Sequence, residues 1–274
     1  MSHLEVPRFP RGFLLSERPV APPPTFVPGP LLDHFWVHPW TLVEHAGDRD
    51  LFVIILGHCL PTRADQTDPP AQALLCALRQ SETAFFQTVN KYGGRHAIVF
   101  GSAGNMAILN DAAAMRSVFY AAGKGVVASH ALLVERALGG RIVRDDLPFQ
   151  YGYPGNRTPY ARTRVMTANT YYWITTKLVR RFWPIAPIAP ATAEDAAQVL
   201  LDAAVTSTRA MAASRYVKLT LTAGLDSRTT LAAAIHAEID FDTYTYVNME
   251  SHEVDRGIAG EIAARYGLPH TLFD

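Results

Sequence analysis

Thr222-Ala223-Gly224-Leu225-Asp226-Ser227 lies between a stretch of strand character, Tyr216–Leu221, and a stretch of helix character, Arg228–Ala237. In an open α/β sheet, ligands gather beyond the carboxyl ends of strands, and phosphates sit at helix N-termini, where backbone N–H groups have no intrahelical partner. These six residues occupy that position. They supply a glycine for close backbone approach, two hydroxyls, several amide donors and a carboxylate suited to Mg²⁺. No Gly-Lys-Ser/Thr follows, so this is not a Walker loop. The plainer alternative for the same residues is a strand–helix turn that uses Gly-Leu-Asp-Ser as a helix cap.

The residues on either side extend the pattern. Downstream, Phe241–Val247 predicts a second strand and Val254–Tyr266 a helix with Ile258, Ala259, Ile262 and Ala263 on one face. Gly267 stops that helix, and His270-Thr-Leu-Phe273 predicts a third strand. Alternating strands and helices imply a parallel α/β sheet. Upstream, Thr192-Ala-Glu-Asp195 has capping-box spacing. It opens a helix ending near Ser214, with Val199, Leu200, Ala203, Ala204, Ala210 and Met211 on one face. Pro184-Ile-Ala-Pro-Ile-Ala-Pro190 reads as a semi-rigid linker and places a domain boundary at 184–190.

Residues 31–183 predict a mixed domain. Leu51–Leu56, His96–Phe100 and Met106–Leu109 read as strands, the last two joined by turn residues Gly101-Ser-Ala-Gly-Asn105. Ala71–Tyr92 has helical spacing at Leu74, Leu75, Leu78, Phe85 and Val89. Gly125–Ser129 then His130–Leu138 reads as strand then helix, and Tyr171–Val179 as one further strand. Residues 1–30 are set apart as a proline-rich arm, because Pro19–Pro30 cannot form a helix and has few ladder donors.

Bulk composition excludes several classes. The 274 residues carry 25 Lys and Arg against 25 Asp and Glu, so no basic excess marks a nucleic-acid surface. The longest apolar run, Leu51–Gly57, is far short of the ~20 residues a membrane helix needs. Cys59 and Cys76 are too few for a disulfide framework, and Met-Ser-His-Leu-Glu lacks a signal-peptide pattern. A cytoplasmic protein with reduced thiols is expected.

The loop resembles the Ser-Gly-Gly-x-Asp-Ser signature of asparagine synthetases and of the related β-lactam synthetases and lasso-peptide cyclases. Thr243–Val247, Asp255–Tyr266 and Gly267-Leu-Pro-His270 sit where that family's next segments sit. Gly93–Phe100, Leu109-Asn-Asp111, Val118-Phe-Tyr120 and Ala128-Ser129 are similar to its glutaminase-type amino-terminal domain, and Thr158-Pro159 with Val165–Trp173 to the segment after it. The fold this resemblance implies is an N-terminal glutaminase-like αββα sandwich (31–183). A partial parallel α/β ATP-pyrophosphatase domain, adenine nucleotide alpha hydrolase-like, follows at 191–274.

The function it implies is an ATP-dependent, AMP-forming amide ligase that adenylates a carboxylate. Asp226 would hold Mg²⁺ on the pyrophosphate, while Thr222, Gly224 and Ser227 would line the phosphate cradle; Ala223 lies within the same cofactor-binding stretch, and Arg228 after it either adds a phosphate contact or is a solvated first-turn residue. The substrates would be ATP, a small-molecule or peptide carboxylate and an amine donor, with no nucleic acid and no membrane partner; oligomeric state stays open.

Three departures qualify the carry-over. The family's nucleophilic cysteine is replaced by Ser2 and no Arg-Gly-Pro-Asp segment is present, so no glutaminase activity is expected. Ala223 stands in place of a glycine and requires a negative φ there. The family's synthetase domain is longer, so the chain is expected to be a fragment or to be completed by another chain. A non-catalytic binding or scaffold protein derived from such a ligase is the alternative.

Other candidates read as structural. His34 and His38 would share a helix face as metal ligands, but Phe35, Trp36 and Trp40 around them favour aromatic packing. His58-Cys59 reads as buried, Ala122-Gly-Lys-Gly125 as a turn, and Arg180-Arg181 as a solvated strand end.

Overall fold

The computed structural model describes residues 8–143, 153–247 and 253–273. They fall into two compact units that part between Ile188 and Ala189, with Leu60–Thr67 grouped with the second. In chain order the first unit holds β1 (Phe13–Ser16), β2 (Val27–Pro28), β3 (Phe35–Val37), β4 (Val43–Gly47), β5 (Phe52–Pro61), α1 (Pro70–Gln80), α2 (Glu82–Val89) and β6 (Tyr92–Ser102). It continues with β7 (Asn105–Asn110), β8 (Phe119–Ala121), β9 (Val126–Ala128), α3 (Ala131–Ala137), β10 (Thr163–Val165), β11 (Thr170–Trp173) and β12 (Leu178–Arg181).

Two six-stranded sheets result, ordered β10-β8-β9-β1-β3-β2 and β12-β11-β7-β6-β5-β4. Strand side chains alternate between faces, and the alternation here divides three cores. Phe13 and Leu15 of β1, Phe52, Ile54 and Leu56 of β5, and Met106 and Ile108 of β7 meet between the sheets. Val53, Ile55, Ile98, Phe100 and Leu109 point the other way, against Leu74 and Leu75 of α1 and Phe85 and Phe86 of α2. Leu14, Val126 and Ala128 face Leu133 and Val134 of α3. The layers are therefore helix, sheet, sheet, helix. Strands covered on both faces read as unbroken apolar runs, which is why Leu51–Leu56 shows no polar alternation.

Three expectations for this unit change. Ala71–Tyr92 is not one helix: Ser81 adopts an extended backbone and its hydroxyl accepts from Ala84 N at 3.0 Å, capping α2 and separating it from α1. Tyr92 already belongs to β6. Tyr171–Val179 is a hairpin, since Trp173 pairs with Leu178 and Lys177 takes φ +62° in the turn between β11 and β12. The segment read as an arm contributes β1, an inner strand between β9 and β3 with Phe13 and Leu15 fully buried. Pro19–Pro30 itself is irregular apart from β2.

The second unit holds α4 (Ala193–Ala212), β13 (Val217–Thr220), α5 (Leu225–His236), β14 (Phe241–Tyr246), α6 (Glu253–Arg265) and β15 (His270–Phe273). β13-β14-β15 form a parallel sheet in sequential order. Parallel neighbours need crossover connections, and α5 and α6 provide them. Val217, Leu221, Leu231, Ala234, Phe241, Ala259 and Ala263 make the core, with Met211 and Ala212 of α4 packed against it. Of the face expected along α4, Val199 and Leu200 near its start are 70% and 61% exposed, whereas Ala203, Ala204, Ala210 and Met211 are half-buried, and it is the helix's last turn that packs against that core. Thr192 caps α4, its hydroxyl accepting from Asp195 N at 3.1 Å. Among the described residues no helix is long and apolar enough to cross a membrane.

The end of α5 carries a correctable strain. Ala237 is its C-cap, and exposed Glu238, next in line, takes φ +53°. That left-handed position is the one glycine favours after a helix. Glu238→Gly is expected to raise stability by about 0.5–1 kcal/mol, the relief of strain exceeding the added freedom of the unfolded chain. A urea midpoint that falls in the variant would contradict this.

Candidate functional site: the loop between β13 and α5

Leu221, buried after the end of β13, is tied to the neighbouring strand by Leu221 N donating to Tyr244 O (2.8 Å) and Thr245 Oγ1 donating to Leu221 O (2.6 Å). The chain then turns through Thr222 and Ala223 into Gly224, the N-cap of α5 at φ −69° and ψ 153°. The helix begins at Leu225, three residues before the expected Arg228, so Asp226 and Ser227 belong to its first turn. Ala223 is not among the residues with positive φ, which meets the condition its Cβ imposes. A Cβ at Gly224 would lie 3.2 Å from Thr222 Oγ1, so glycine is favoured there by closeness rather than by a left-handed backbone.

Hydroxyls hold the loop in shape. Ser227 Oγ accepts from Thr222 N at 3.1 Å and lies 3.0 Å from Thr222 Oγ1. Thr222 Oγ1 in turn accepts from Gly224 N at 3.1 Å. Ala223 N donates to Asp255 Oδ1, in α6, at 2.8 Å. The amides of Thr222, Ala223 and Gly224 are thus engaged within the protein, one of them by a carboxylate. The amides of Leu225, Asp226 and Ser227 have no acceptor within α5, since they open its first turn, and the helix dipole adds partial positive charge there. Arg228 is exposed and its Nε donates to Gly224 O at 3.3 Å, folding the guanidinium back onto the loop.

Asp226 is exposed beside this turn. Among the described residues no group of three or more His, Cys, Asp and Glu side chains could hold a metal ion. The donors do suit Mg²⁺ carried on phosphates, which needs only one or two protein carboxylates.

Thr222, Ala223, Gly224, Asp226, Ser227 and Arg228 therefore share one loop and helix start. Asp255, Thr245 and Tyr244 join them through tertiary contacts that carried no distinctive local signal; an acid near a helix start such as Asp255 is ordinary. The carboxyl ends of β14 and β15 add an aromatic group, with Tyr244, Tyr246 and Phe273 at ring separations of 5.5, 5.6 and 5.9 Å. Tyr246 and Phe273 are 53% and 40% exposed.

Elsewhere, His34 and His38 flank β3 rather than sharing a helix face. His38 packs edge-on against Phe26 and Trp40, and its Nδ1 accepts from Trp40 N at 3.1 Å. Burial, then nearby Glu44, pushes the Cys59 thiol far up, away from any thiolate chemistry. Ala122–Gly125 is the turn between β8 and β9, and Arg180 and Arg181 are exposed in β12. Ser2 lies outside the described residues.

The first unit has a cleft of about 260 Å³, whose walls include His96, Asn110, Asp111, Asn169, Phe182 and Trp183. His96 is 1% exposed, and burial pushes its pKa below the usual histidine value against the opposing pull of Asp111. The unfolded chain takes up a proton near about pH 6.5, whereas the folded chain resists it. Stability is therefore full above that pH and declines as pH falls below it, with His130 acting in the same direction. The urea midpoint is expected to drop between about pH 7.5 and about pH 5.5, and His96→Gln to flatten the slope. An unchanged slope in the variant would remove His96 as a cause.

Fold and site together define an α/β protein of two units, one a four-layered sandwich and the other a parallel sheet with a hydroxyl-knotted strand–helix loop. No family model and no curated protein sequence matches the chain. Solved structures are similar at low levels, among them the following three. Glutamine-dependent NAD+ synthetase from Acinetobacter baumannii, in complex with ADP, is 21% identical over 43% of this chain and 22% of its own, with a TM-score of 0.27. Glutamine phosphoribosylpyrophosphate amidotransferase from B. subtilis, complexed with ADP and GMP, is 14% identical over 86% and 48%, with a TM-score of 0.32. An allosteric regulatory enzyme of purine biosynthesis is 13% identical over 86% and 47%, with a TM-score of 0.35. The chain spans less than half the length of each, and at these scores the likeness carries no functional argument.

Proposed function

We propose that the chain belongs to an ATP-dependent, AMP-forming amide ligase of the asparagine-synthetase-like group, one that activates a carboxylate and has no glutaminase activity. The observation that carries this reading is the position of Thr222–Ser227, which joins the carboxyl end of a parallel strand to the start of α5. An anion there would meet the first-turn amides of α5, and Arg228 stands close by. Asp226 would hold Mg²⁺ accompanying the phosphates, and the metal would offset charge developing on the leaving pyrophosphate. The exposed rings of Tyr246 and Phe273, tilted 42° to each other at the same end of the sheet, offer an apolar aromatic surface for a nucleobase. The carboxylate and amine substrates are named by class alone.

One observation favours the second reading, a binding or scaffold protein derived from such a ligase. Asp255 occupies the Ala223 amide, and Thr222 and Ser227 spend their hydroxyls on each other. A phosphate cradle would have to release some of these bonds. Titration of the chain with Mg·ATP, followed by calorimetry, tests the choice. Saturable binding that pyrophosphate competes away is expected of the ligase; no binding by a folded chain would rule the ligase reading out and leave the scaffold.

A further inference from the structure

Three arginines gather at one end of the first unit with too little acid to match them. Arg95 of β6 donates from Nε to Met115 O at 3.0 Å. Arg116, next in the chain, reaches back to the segment before β1: its Nη2 donates to Arg11 O, and its guanidinium stands 6.0 Å over the Phe13 ring. The loop between β7 and β8 thus ties Arg95, Arg116 and Arg11 into one neighbourhood. Arg11 and Arg95 are exposed, and Arg116 is half-buried. Among the described residues none of the three forms an ion pair.

The carboxylate that acts on Arg116 is Asp111, and it is spent on the loop itself: its Oδ1 accepts from Ala113 N and Met115 N, and its Oδ2 from Arg116 N. Three guanidiniums therefore face one carboxylate, in a chain whose 25 basic and 25 acidic residues balance. Burial, then the charges of Arg95 and Arg11, pushes the Arg116 pKa down to about 10 against the pull of Asp111. The Nε of Arg116 is buried, so a ligand meets this residue as a charge and not at that atom. The two exposed guanidiniums are the groups within reach. Arg95 has its two terminal nitrogens left over, and the Arg11 side chain donates to no described residue. Such planar forks match the oxygens of an oxyanion. A single negative charge offsets half of the local excess, and a double charge all of it.

We propose that this cluster is a binding site for a small phosphorylated ligand, whose doubly charged phosphate is held by Arg11 and Arg95 while Arg116 adds positive charge from beneath. Guanidinium–phosphate bonds are charge-assisted and among the stronger polar contacts, and relief of the repulsion among the arginines adds to them. No residue of the β13–α5 loop takes part, so this inference stands or falls separately from the ATP reading.

The test is calorimetric titration of the full chain at low salt with methyl phosphate, doubly charged near about pH 7.5, and with acetate, singly charged. Methyl phosphate is expected to bind saturably and at least about tenfold more tightly than acetate. Arg11→Gln and Arg95→Gln are each expected to weaken it at least about fivefold, and Arg95→Lys, which keeps the charge, to weaken it less. Arg228→Gln, at the β13–α5 loop, is expected to leave this binding in place. Should Arg95→Gln not fold for want of its bond to Met115 O, Arg11→Gln decides alone, since that side chain holds nothing in the fold. Absence of saturable binding, equal affinity for acetate, or binding untouched by Arg11→Gln would each overturn the proposal. Binding that survives Arg11→Gln and disappears in Arg228→Gln would place the phosphate at the β13–α5 loop instead.

Discussion

Asp226→Ala is expected to abolish the thermal stabilisation that Mg·ATP gives the parent chain. A ligand at 100 times its dissociation constant adds about 2.7 kcal/mol to the folded state, which for a chain of this size is a shift of several degrees. Asp226 is exposed in the first turn of α5, and Thr222, Gly224 and Ser227 knot the loop without it. Its removal should therefore leave the fold in place, with a small baseline change from the lost acid at a helix start. The informative quantity is the difference with and without nucleotide, measured in both proteins. A parent shift that vanishes in the variant puts the metal-bearing end of the nucleotide at this loop. An equal shift in both would remove Asp226 from the site and require another metal carrier.

Phe100→Ala should be the most damaging single truncation in the first unit, at about 3–5 kcal/mol. Phe100 is 1% exposed on the helix-facing side of β6, 4.4 Å ring to ring from Phe85, 5.9 Å from Phe86, and 6.1 Å from both Tyr171 and Trp173. Removing it leaves a void where α1 and α2 meet the sheet, and neighbouring rings can collapse into it only in part. Against a typical total of about 5–15 kcal/mol, that loss should lower the urea midpoint sharply while the slope of the transition stays the same. A loss under about 1 kcal/mol would mean the aromatic cluster is loosely packed.

Neither effect could be sized from the sequence, although both residues could be found there. Asp226 is visible because the loop's hydroxyls, glycine and acid lie within six consecutive positions, and a local motif needs no knowledge of the rest of the chain. Phe100 is visible as part of an apolar run, but its ring partners come from α2 and β11. Asp255 illustrates the limit at the site itself. It lies 32 residues beyond Ala223 and reaches that amide only because the parallel crossover brings the start of α6 to the loop.

The sequence by itself determined the alternation of strand and helix after Pro190, the hairpin joining β6 and β7, the cap at Thr192 and the residues of the candidate loop. These follow from short-range physics: side-chain period, turn chemistry and N-cap preference. Only the tertiary structure decided that β1 lies inside the first sheet, that Ser81 divides α1 from α2, and that α4 leaves Val199 and Leu200 uncovered. It likewise decided that Arg11, Arg95 and Arg116 gather at one end of the first unit. Burial and pairing are set by segments distant in the chain, and the local pattern that forms an element does not say which neighbour will cover it.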